Sequence, residues 1–263
     1  MTELALRPRS STEIIDLAVR LLRRHFGALF TIALVGSIPV LVVQLGLLSL
    51  WRTDPARLFE FFSGYGVLSY LLLIAVRAYM LAALLVGADD ALRTGAVDVG
   101  SVLRRAGSRT VPVAVVVLLG SVAVGVGFLL FVVPGVYVAL RLATALPGAG
   151  IGGDGGFEAL DRAWHRGEGY LVHTLKVLLL LFLVYFAVAI AVGMLSGLAV
   201  LLGGGRSTFS WTGLTLSQVV GTLVGAVTYP LLTNALLALW YDLRVRREGY
   251  DVEAMAAALG AAG

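Results

Sequence analysis

The stretch Phe131-Val132-Val133-Pro134-Gly135-Val136-Tyr137 separates two apolar runs, at 111–133 and 136–146. Proline lacks an amide hydrogen and its ring clashes with the preceding helical turn, so Pro134-Gly135 predicts a break between two helices. Both flanking runs are too apolar to face water. We therefore predict the tip of a helical hairpin that lies inside or at the edge of a bilayer, with Pro134 and Gly135 as its turn.

The composition of the whole chain agrees with a membrane protein. The 263 residues are 59% hydrophobic and only 14% charged, with a mean hydropathy of +0.94, whereas a soluble domain carries about 25% charged residues. The chain has no cysteine, which excludes disulfides, thiolate metal sites and cysteine nucleophiles. Its richness in Ala, Gly, Val and Leu, with 19 arginines and one lysine, is typical of a GC-rich bacterial genome.

Six apolar segments are candidates for membrane spans. A full crossing by a helix needs ~20 apolar residues. The fourth segment has only some twelve, so it either begins inside the bilayer or is buried together with Arg141. We predict an all-α, polytopic membrane protein whose six transmembrane helices lie at 26–50, 67–88, 111–133, 136–147, 170–202 and 213–241.

A short amphipathic helix precedes each pair of spans, at 13–25, 97–106 and 156–166. Ser10 and Glu13 form a capping-box pattern at the start of the first one. We expect these helices to lie on the membrane surface, although the first is also compatible with a plain lead-in to the first span. The fold is then three hairpins, each preceded by a cytoplasmic interfacial helix. The predicted divisions are a disordered 1–9, a single membrane domain at 10–252 and a cytoplasmic tail at 253–263.

The basic residues are distributed unequally between the two predicted sides. When the six spans alternate in direction, one side carries 16 basic residues and the other carries 3, with Arg77 inside the second span. Cytoplasmic loops of membrane proteins are enriched in Lys and Arg, and tryptophans favour the interfaces. Trp164 and Trp240 then fall at the inner boundary. We predict a multi-pass protein of the bacterial plasma membrane with both termini in the cytoplasm.

Arg77 lies near the middle of its span, where an arginine costs ~2.5–3.5 kcal/mol. No Asp or Glu lies in any predicted span. Arg77 either contacts an anion or a lipid headgroup in a cavity, or has a structural role in which it reaches the interface or binds carbonyls. The candidate intramembrane partners are Gln44, Gln218, Asn234 and backbone carbonyls near Pro134 or Pro230.

Two further residue sets are candidates for interactions. Small residues four apart on the sixth span let a neighbouring helix approach closely, from the same chain or from a second copy; they are Gly213, Ser217, Gly221 and Gly225. Arginines on the predicted cytoplasmic side are candidates for binding anionic headgroups, or they only orient the protein. They are Arg23, Arg24, Arg104, Arg105, Arg162, Arg166, Arg244, Arg246 and Arg247.

No motif of an enzyme is evident. The residues from Gly148 to Gly153 fit a G-x-G-x-x-G spelling, but they lack the strand–turn–helix context of a dinucleotide site and are better explained as a flexible loop. His165, Glu168 and His173 match no standard metal spacing. We expect no catalytic residue, no metal site, no cofactor and no nucleic-acid partner.

Three stretches of the sequence match the pattern of a known family. They are the Pro134-Gly135-Val-Tyr137 turn with Arg141, Phe157-Glu158-Ala159-Leu160-x-Arg162-Ala-Trp164, and the segment from Tyr241 to Asp251. Through these motifs the chain resembles a bacterial family of six-span membrane proteins related to the glycerophosphoryl diester phosphodiesterase membrane domain, over most of residues 10–252. The chain departs from the family in the glycine-rich 148–156, where an acidic residue is usual, and near Ala163, where a serine is usual. The resemblance implies a membrane module without the catalytic barrel that some relatives carry.

Three hypotheses for function follow. The first is a non-enzymatic module that organises or senses anionic lipid, or anchors partner proteins, at the cytoplasmic leaflet. The second is a transporter or channel for an amphiphile or anion, which would use Arg77 and the broken hairpin of spans 3 and 4. The third is a lipid-modifying enzyme. The expected partners are membrane lipids of anionic type, with a membrane or cytoplasmic protein partner and a homo-oligomer both left open.

Overall fold

A computed structural model describes residues 8–53, 64–202 and 211–248. Within these ranges the chain is helical and contains no β-strand, and six helical segments are long and apolar enough to cross a membrane. The prediction of an all-α, polytopic membrane protein is confirmed. The helices of the described ranges are α1 (Ser11–Arg24), α2 (Phe26–Thr53), α3 (Gly64–Thr94), α4 (Val99–Leu130), α5 (Val132–Leu142), α6 (Ala145–Gly150), α7 (Gly156–Arg166), α8 (Leu171–Leu202) and α9 (Trp211–Glu248).

Helix α1 begins with the predicted capping box. The Ser10 hydroxyl accepts from the Glu13 amide at 3.3 Å, and the Glu13 carboxylate accepts from the Ser10 amide at 2.8 Å. The apolar side of α1 does not face lipid, however. Ile14 and Leu21 are buried against Leu237 and other residues of α9. The helix α1 therefore docks its apolar side on the protein, because α9 offers it an apolar surface, and its position at the membrane surface stays a prediction.

The two ends of the described chain meet. The Arg9 amide donates to the Asp242 carboxylate at 2.6 Å, and the Arg246 guanidinium donates to the Arg9 carbonyl at 2.7 Å. Buried Asp242 and Arg246 thus hold the backbone of Arg9 against α9, while the predicted disorder of 1–9 stays a prediction. Residues 1–7 and the predicted tail at 253–263 lie outside the described ranges. We call the end of the bundle with Arg9 and Asp242 the terminal end, and the end with Phe131 the distal end.

The second predicted amphipathic segment is not a separate helix. It forms the first turns of α4, which continues without a break through Pro112. Asp98 caps α4 by accepting from the Ser101 amide at 3.0 Å, and this hydrogen bond holds the pKa of the Asp98 carboxyl below its usual range. The third predicted amphipathic helix, by contrast, is present with the predicted bounds as α7.

The hairpin between spans 3 and 4 turns at Phe131, not at Pro134 and Gly135. Phe131 is the extended residue between α4 and α5, and Pro134 lies in the first turn of α5. Proline is tolerated there because the first helical amides have no intrahelical acceptor. The missing side chain of Gly127 lets the two helices touch, since a Cβ there would lie 2.8 Å from the Gly135 Cα.

The fourth span is completed by a second helix. After α5, the short helix α6 continues the apolar segment, so that 132–150 together have the length to cross. Arg141 lies between the rings of Tyr137 and Trp164, at 5.1 and 5.3 Å from their centroids, and donates to the Trp164 carbonyl at 3.0 Å. The Arg141 side chain thereby links α5 to α7.

The terminal end carries the tightest packing. Residues 82–85 of α3 and 235–239 of α9 are almost completely buried. A polar cluster seals this layer: the Tyr241 hydroxyl donates to Asp89 at 2.5 Å and accepts from Arg93 at 2.8 Å. Most of the packing that holds the six spans together therefore lies between the middle of the bundle and its terminal end.

Candidate functional site

Three of the four predicted intramembrane polar residues come together in one cavity. Gln44 of α2, Arg77 of α3 and Gln218 of α9 line a space of about 150 Å³ between these helices. Arg77 is exposed, so the cavity is not sealed from the surroundings of the bundle. The remaining lining residues are Ser37, Val40, Met80, Gly221, Thr222 and Tyr229.

Arg77 has no hydrogen-bond or ion-pair partner within the described ranges. Neither glutamine side chain bonds to it there, although both line the same cavity. Arginine stays protonated in proteins. The cavity thus holds a full positive charge at mid-span with no anion from the described part of the chain.

Asn234 does not belong to this cavity. Its amide Nδ2 donates to the Ala18 carbonyl of α1 at 3.3 Å, and its side chain is buried. The prediction that Asn234 is a partner of Arg77 is wrong, because four further helical turns on α9 carry it toward the terminal end. Asn234 instead helps to dock α1. Pro134 and Gly135 are likewise not in the cavity but in the hairpin of α4 and α5.

A second, larger cavity lies between α8 and α9. It measures about 390 Å³ and is lined mainly by apolar groups, among them Val188, Val192 and Val224. It shares Gly221 and Tyr229 with the Arg77 cavity, so the two spaces adjoin. A polar cavity with a positive charge therefore continues into an apolar cleft.

The small residues of α9 do not make the predicted close helix contact. A Cβ added at Gly221 would meet no atom within 4 Å, and Gly193 of the facing helix α8 is equally open. The ring of Tyr229 lies over Gly225, 2.9 Å from an added Cβ, and occupies space that a neighbouring helix would need. Ser217, Gly221 and Gly225 line the cleft, and Gly213 is buried outside it.

Most of the predicted headgroup arginines are engaged within the protein. Arg105 pairs with Asp90, Arg162 with Asp154 and Glu158, and Arg246 with Asp242. Arg247 donates to the carbonyls of His165 and Glu168. Arg166 and Arg244 lie over the ring of Trp240. The exposed arginines of this set that project from the terminal end include Arg23 and Arg104.

Two buried aspartates that were not predicted from the sequence organise the terminal end. Asp242 is buried and lies 2.8 Å from Arg246 Nε and 2.9 Å from His173 Nε2. Asp154 is buried beside Arg162. The tyrosine–aspartate pair at 241–242, directly after a long apolar run, is the signal that could have indicated a buried polar cluster. Within the described ranges no group of three or more His, Asp or Glu side chains could hold a metal ion.

The chain matches no protein-family model, no curated protein sequence and no solved structure.

Proposed function

We propose that this chain is a non-enzymatic membrane protein that binds an anionic amphiphile, with the charged headgroup at Arg77 and the apolar tail in the cleft between α8 and α9. The observation that carries the proposal is the junction of the two cavities at Gly221 and Tyr229. Anionic membrane lipids have a negatively charged headgroup that suits the Arg77 cavity and an apolar tail that suits the cleft.

The charge of Arg77 supports an anionic ligand. An arginine at mid-bilayer costs ~2.5–3.5 kcal/mol on insertion scales, and no described residue offsets that cost with an opposite charge. A phosphate or carboxylate would do so through charge-assisted hydrogen bonds, which a guanidinium forms readily. The amide groups of Gln44 and Gln218 add donors to the same cavity.

The lining of the cleft between α8 and α9 supports the proposal that it binds an acyl chain. Its lining is largely aliphatic and aromatic, with Tyr185 and Tyr229 at its sides. Ligand sites are mostly apolar with a few polar groups that fix orientation. The combined lining of the two cavities follows that pattern, with Arg77 as the group that selects charge.

Native mass spectrometry of the protein extracted with its own lipids tests the headgroup contact. Wild type should retain a defined number of anionic lipids, Arg77→Leu should retain one fewer, and Arg104→Leu should retain as many as wild type, because Arg104 is an exposed arginine away from the cavity. If Arg77→Leu retains the same lipids as wild type, the proposal is wrong.

The apolar cleft has its own matched pair of variants. Gly193→Leu fills the cleft, whereas Gly197→Leu adds the same side chain on the same helix outside the cleft lining, and a Cβ at either glycine meets nothing within 4 Å. We expect lipid retention to fall in Gly193→Leu alone. Equal retention in both variants would place the tail elsewhere.

Transport is the second candidate, and the asymmetry of the bundle favours it. The Arg77 cavity lies in the middle and distal part of the bundle, while residues 82–85 and 235–239 close the terminal side. A site with access from one side only is expected of one state of an alternating-access protein. Proteoliposomes with a fluorescent anionic lipid distinguish the candidates: a carrier accelerates exchange between leaflets and loses this activity in Arg77→Leu, whereas a binding module does not accelerate exchange.

The remaining expectations form part of the same proposal. We place the terminal end in the cytoplasm of a bacterial cell on the basis of the 16 to 3 distribution of basic residues. The exposed Arg23 would then face the anionic cytoplasmic leaflet. The resemblance to the glycerophosphoryl diester phosphodiesterase membrane domain supports a module without a catalytic barrel.

A further inference from the structure

A separate cavity at the terminal end combines three arginines with a buried tryptophan. It measures about 210 Å³, and we call it the Trp240 pocket. It lies between the loop that follows α6, the helix α7 and the terminal part of α9. Its lining residues are Gly152, Asp154, Arg162, Arg166, Trp240 and Arg244.

The indole ring of Trp240 organises the pocket. The Arg244 guanidinium lies 4.8 Å and the Arg166 guanidinium 5.8 Å from the ring centroid, so both charges are held by cation–π contacts. Gly152 makes room for the indole, because a Cβ there would lie 3.2 Å from the Trp240 ring and 2.7 Å from the Gly148 carbonyl. Gly148 and Gly150 lie in α6, and Gly152 lies beside Trp240, so the segment predicted as a loop is partly helical.

The charge of the pocket is positive. Three guanidinium groups line it together with a single carboxylate, Asp154, which is 3% exposed and pairs with Arg162. Glu158 outside the lining also pairs with Arg162. Burial raises the pKa of the Asp154 carboxyl, and the neighbouring arginines oppose this shift. Three guanidinium groups against one lining carboxylate make the lining of the pocket positive.

The indole N–H of Trp240 lacks an acceptor. Trp240 is 2% exposed, and its Nε1 has no hydrogen-bond partner within the described ranges. A buried donor without a partner costs free energy, and native proteins satisfy most such groups. An anion bound beside the ring would supply the acceptor that the fold itself does not.

We propose that the Trp240 pocket is a binding site for a phosphate group, carried by a lipid headgroup or by soluble phosphate. Guanidinium groups bind phosphate through paired hydrogen bonds, and basic pockets between helices near the membrane surface suit lipid headgroups. This site goes beyond the proposed function, because it shares no lining residue with the Arg77 cavity.

Four variants isolate the pocket. Arg244→Gln removes one charge, and Trp240→Phe keeps the ring but removes the indole N–H, so each should weaken phosphate binding by roughly tenfold or more. Asp154→Asn removes the competing carboxylate at nearly constant shape and should strengthen binding; a merely structural role of Asp154 would not do so. Arg104→Gln, an exposed arginine outside the pocket, is the matched control and should bind as wild type does.

Two arms distinguish the sources of the phosphate group. In the first, inorganic phosphate is titrated calorimetrically against the full chain in nanodiscs of phosphatidylcholine at constant ionic strength. In the second, native mass spectrometry measures retention of phosphatidylglycerol from mixed vesicles. Each variant is first shown to be monodisperse and to match the helix content of wild type by circular dichroism.

The outcomes separate cleanly. Binding of inorganic phosphate that follows the pattern of the four variants supports a soluble ligand, and retention of phosphatidylglycerol with the same pattern supports a lipid headgroup. Binding in neither arm, or equal binding by Arg244→Gln and Arg104→Gln, overturns the proposal. Arg77→Leu should leave this site unchanged, so failure here and failure of the proposed function are distinguishable.

Discussion

At the scale of single residues, glycines and one tyrosine determine where the helices of this bundle meet. Gly127 and Gly135 allow backbone contact across the hairpin of α4 and α5. Tyr241 links α9 to Asp89 and Arg93 of α3 through one hydroxyl group. These contacts depend on single atoms, so conservative substitutions test them.

Gly127→Ala should destabilise the hairpin. The added Cβ would lie 2.8 Å from the Gly135 Cα, a backbone atom that moves only if the helices separate. Overpacking costs about 1–3 kcal/mol. Gly125→Ala is the matched control, since a Cβ there meets nothing within 4 Å, and its effect on thermal unfolding should be near zero or slightly stabilising. Equal unfolding temperatures for both variants would contradict the close contact.

Tyr241→Phe should also lower stability. It removes the hydroxyl that donates to Asp89 and accepts from Arg93, although these two side chains stay paired with each other at 2.9 Å. The loss of these hydrogen bonds costs about 0.5–1.5 kcal/mol. Tyr137→Phe removes a hydroxyl that accepts from Arg141, but Tyr137 is 37% exposed whereas Tyr241 is 4% exposed, and we expect a smaller loss. Denaturation of the two variants side by side measures the difference, and a larger loss in Tyr137→Phe would refute this ranking.

At the scale of elements, α1 is part of the folded bundle. Its apolar side packs on α8 and α9, and Asn234 donates to its backbone. A helix with one apolar side can bury that side in lipid or in protein, and the periodicity of the sequence does not distinguish the two. The structure shows protein contact.

Ile14→Ala should release α1. Ile14 is completely buried, and truncating such a side chain costs about 2–5 kcal/mol. Hydrogen exchange should then rise across α1 and at the facing part of α9, while Arg20→Ala, on the exposed side of the same helix, should leave both unchanged. If Ile14→Ala leaves exchange in α9 unaltered, α1 is not docked there.

The sequence predicted the membrane spans, because each of them faces the same apolar environment along its length. A span facing lipid must be apolar along its length, so hydropathy located all six, and the capping pattern at Ser10 correctly located the start of α1. The turn at Phe131 was missed because Pro134 is acceptable inside the first helical turn. Gln44, Arg77 and Gln218 were predictable as a set because polar groups are rare in spans. The Trp240 pocket was not, since it depends on contacts between distant segments.

At the scale of the whole molecule, the bundle is polarised. Its terminal end is tightly packed and rich in arginine–carboxylate pairs, while the middle and distal parts contain the cavities around Arg77 and between α8 and α9. Local opening is easier where few apolar contacts are buried. Entry of the amphiphile into the Arg77 cavity is therefore expected between α8 and α9 and not through the terminal end.

The unequal distribution of basic residues between the two ends of the bundle also predicts the orientation of the protein in the membrane. In the native chain without cysteine, Gly205→Cys should react with a membrane-impermeant maleimide in intact cells. Ser108→Cys, at the terminal end, should react only after permeabilisation, because the basic side is expected to be cytoplasmic. Labelling of Gly205→Cys only after permeabilisation would reverse the orientation.

The central claim is that Arg77 and the cleft between α8 and α9 hold one anionic amphiphile. The most direct measurement is a cryo-electron microscopy map of the protein extracted with its own lipids. We predict density for a headgroup within hydrogen-bond distance of the Arg77 guanidinium, continuous with an elongated chain beside Gly193 and Gly221. A well-resolved map in which the Arg77 cavity is empty, or in which the α8–α9 cleft is closed by direct helix contact, would contradict the claim.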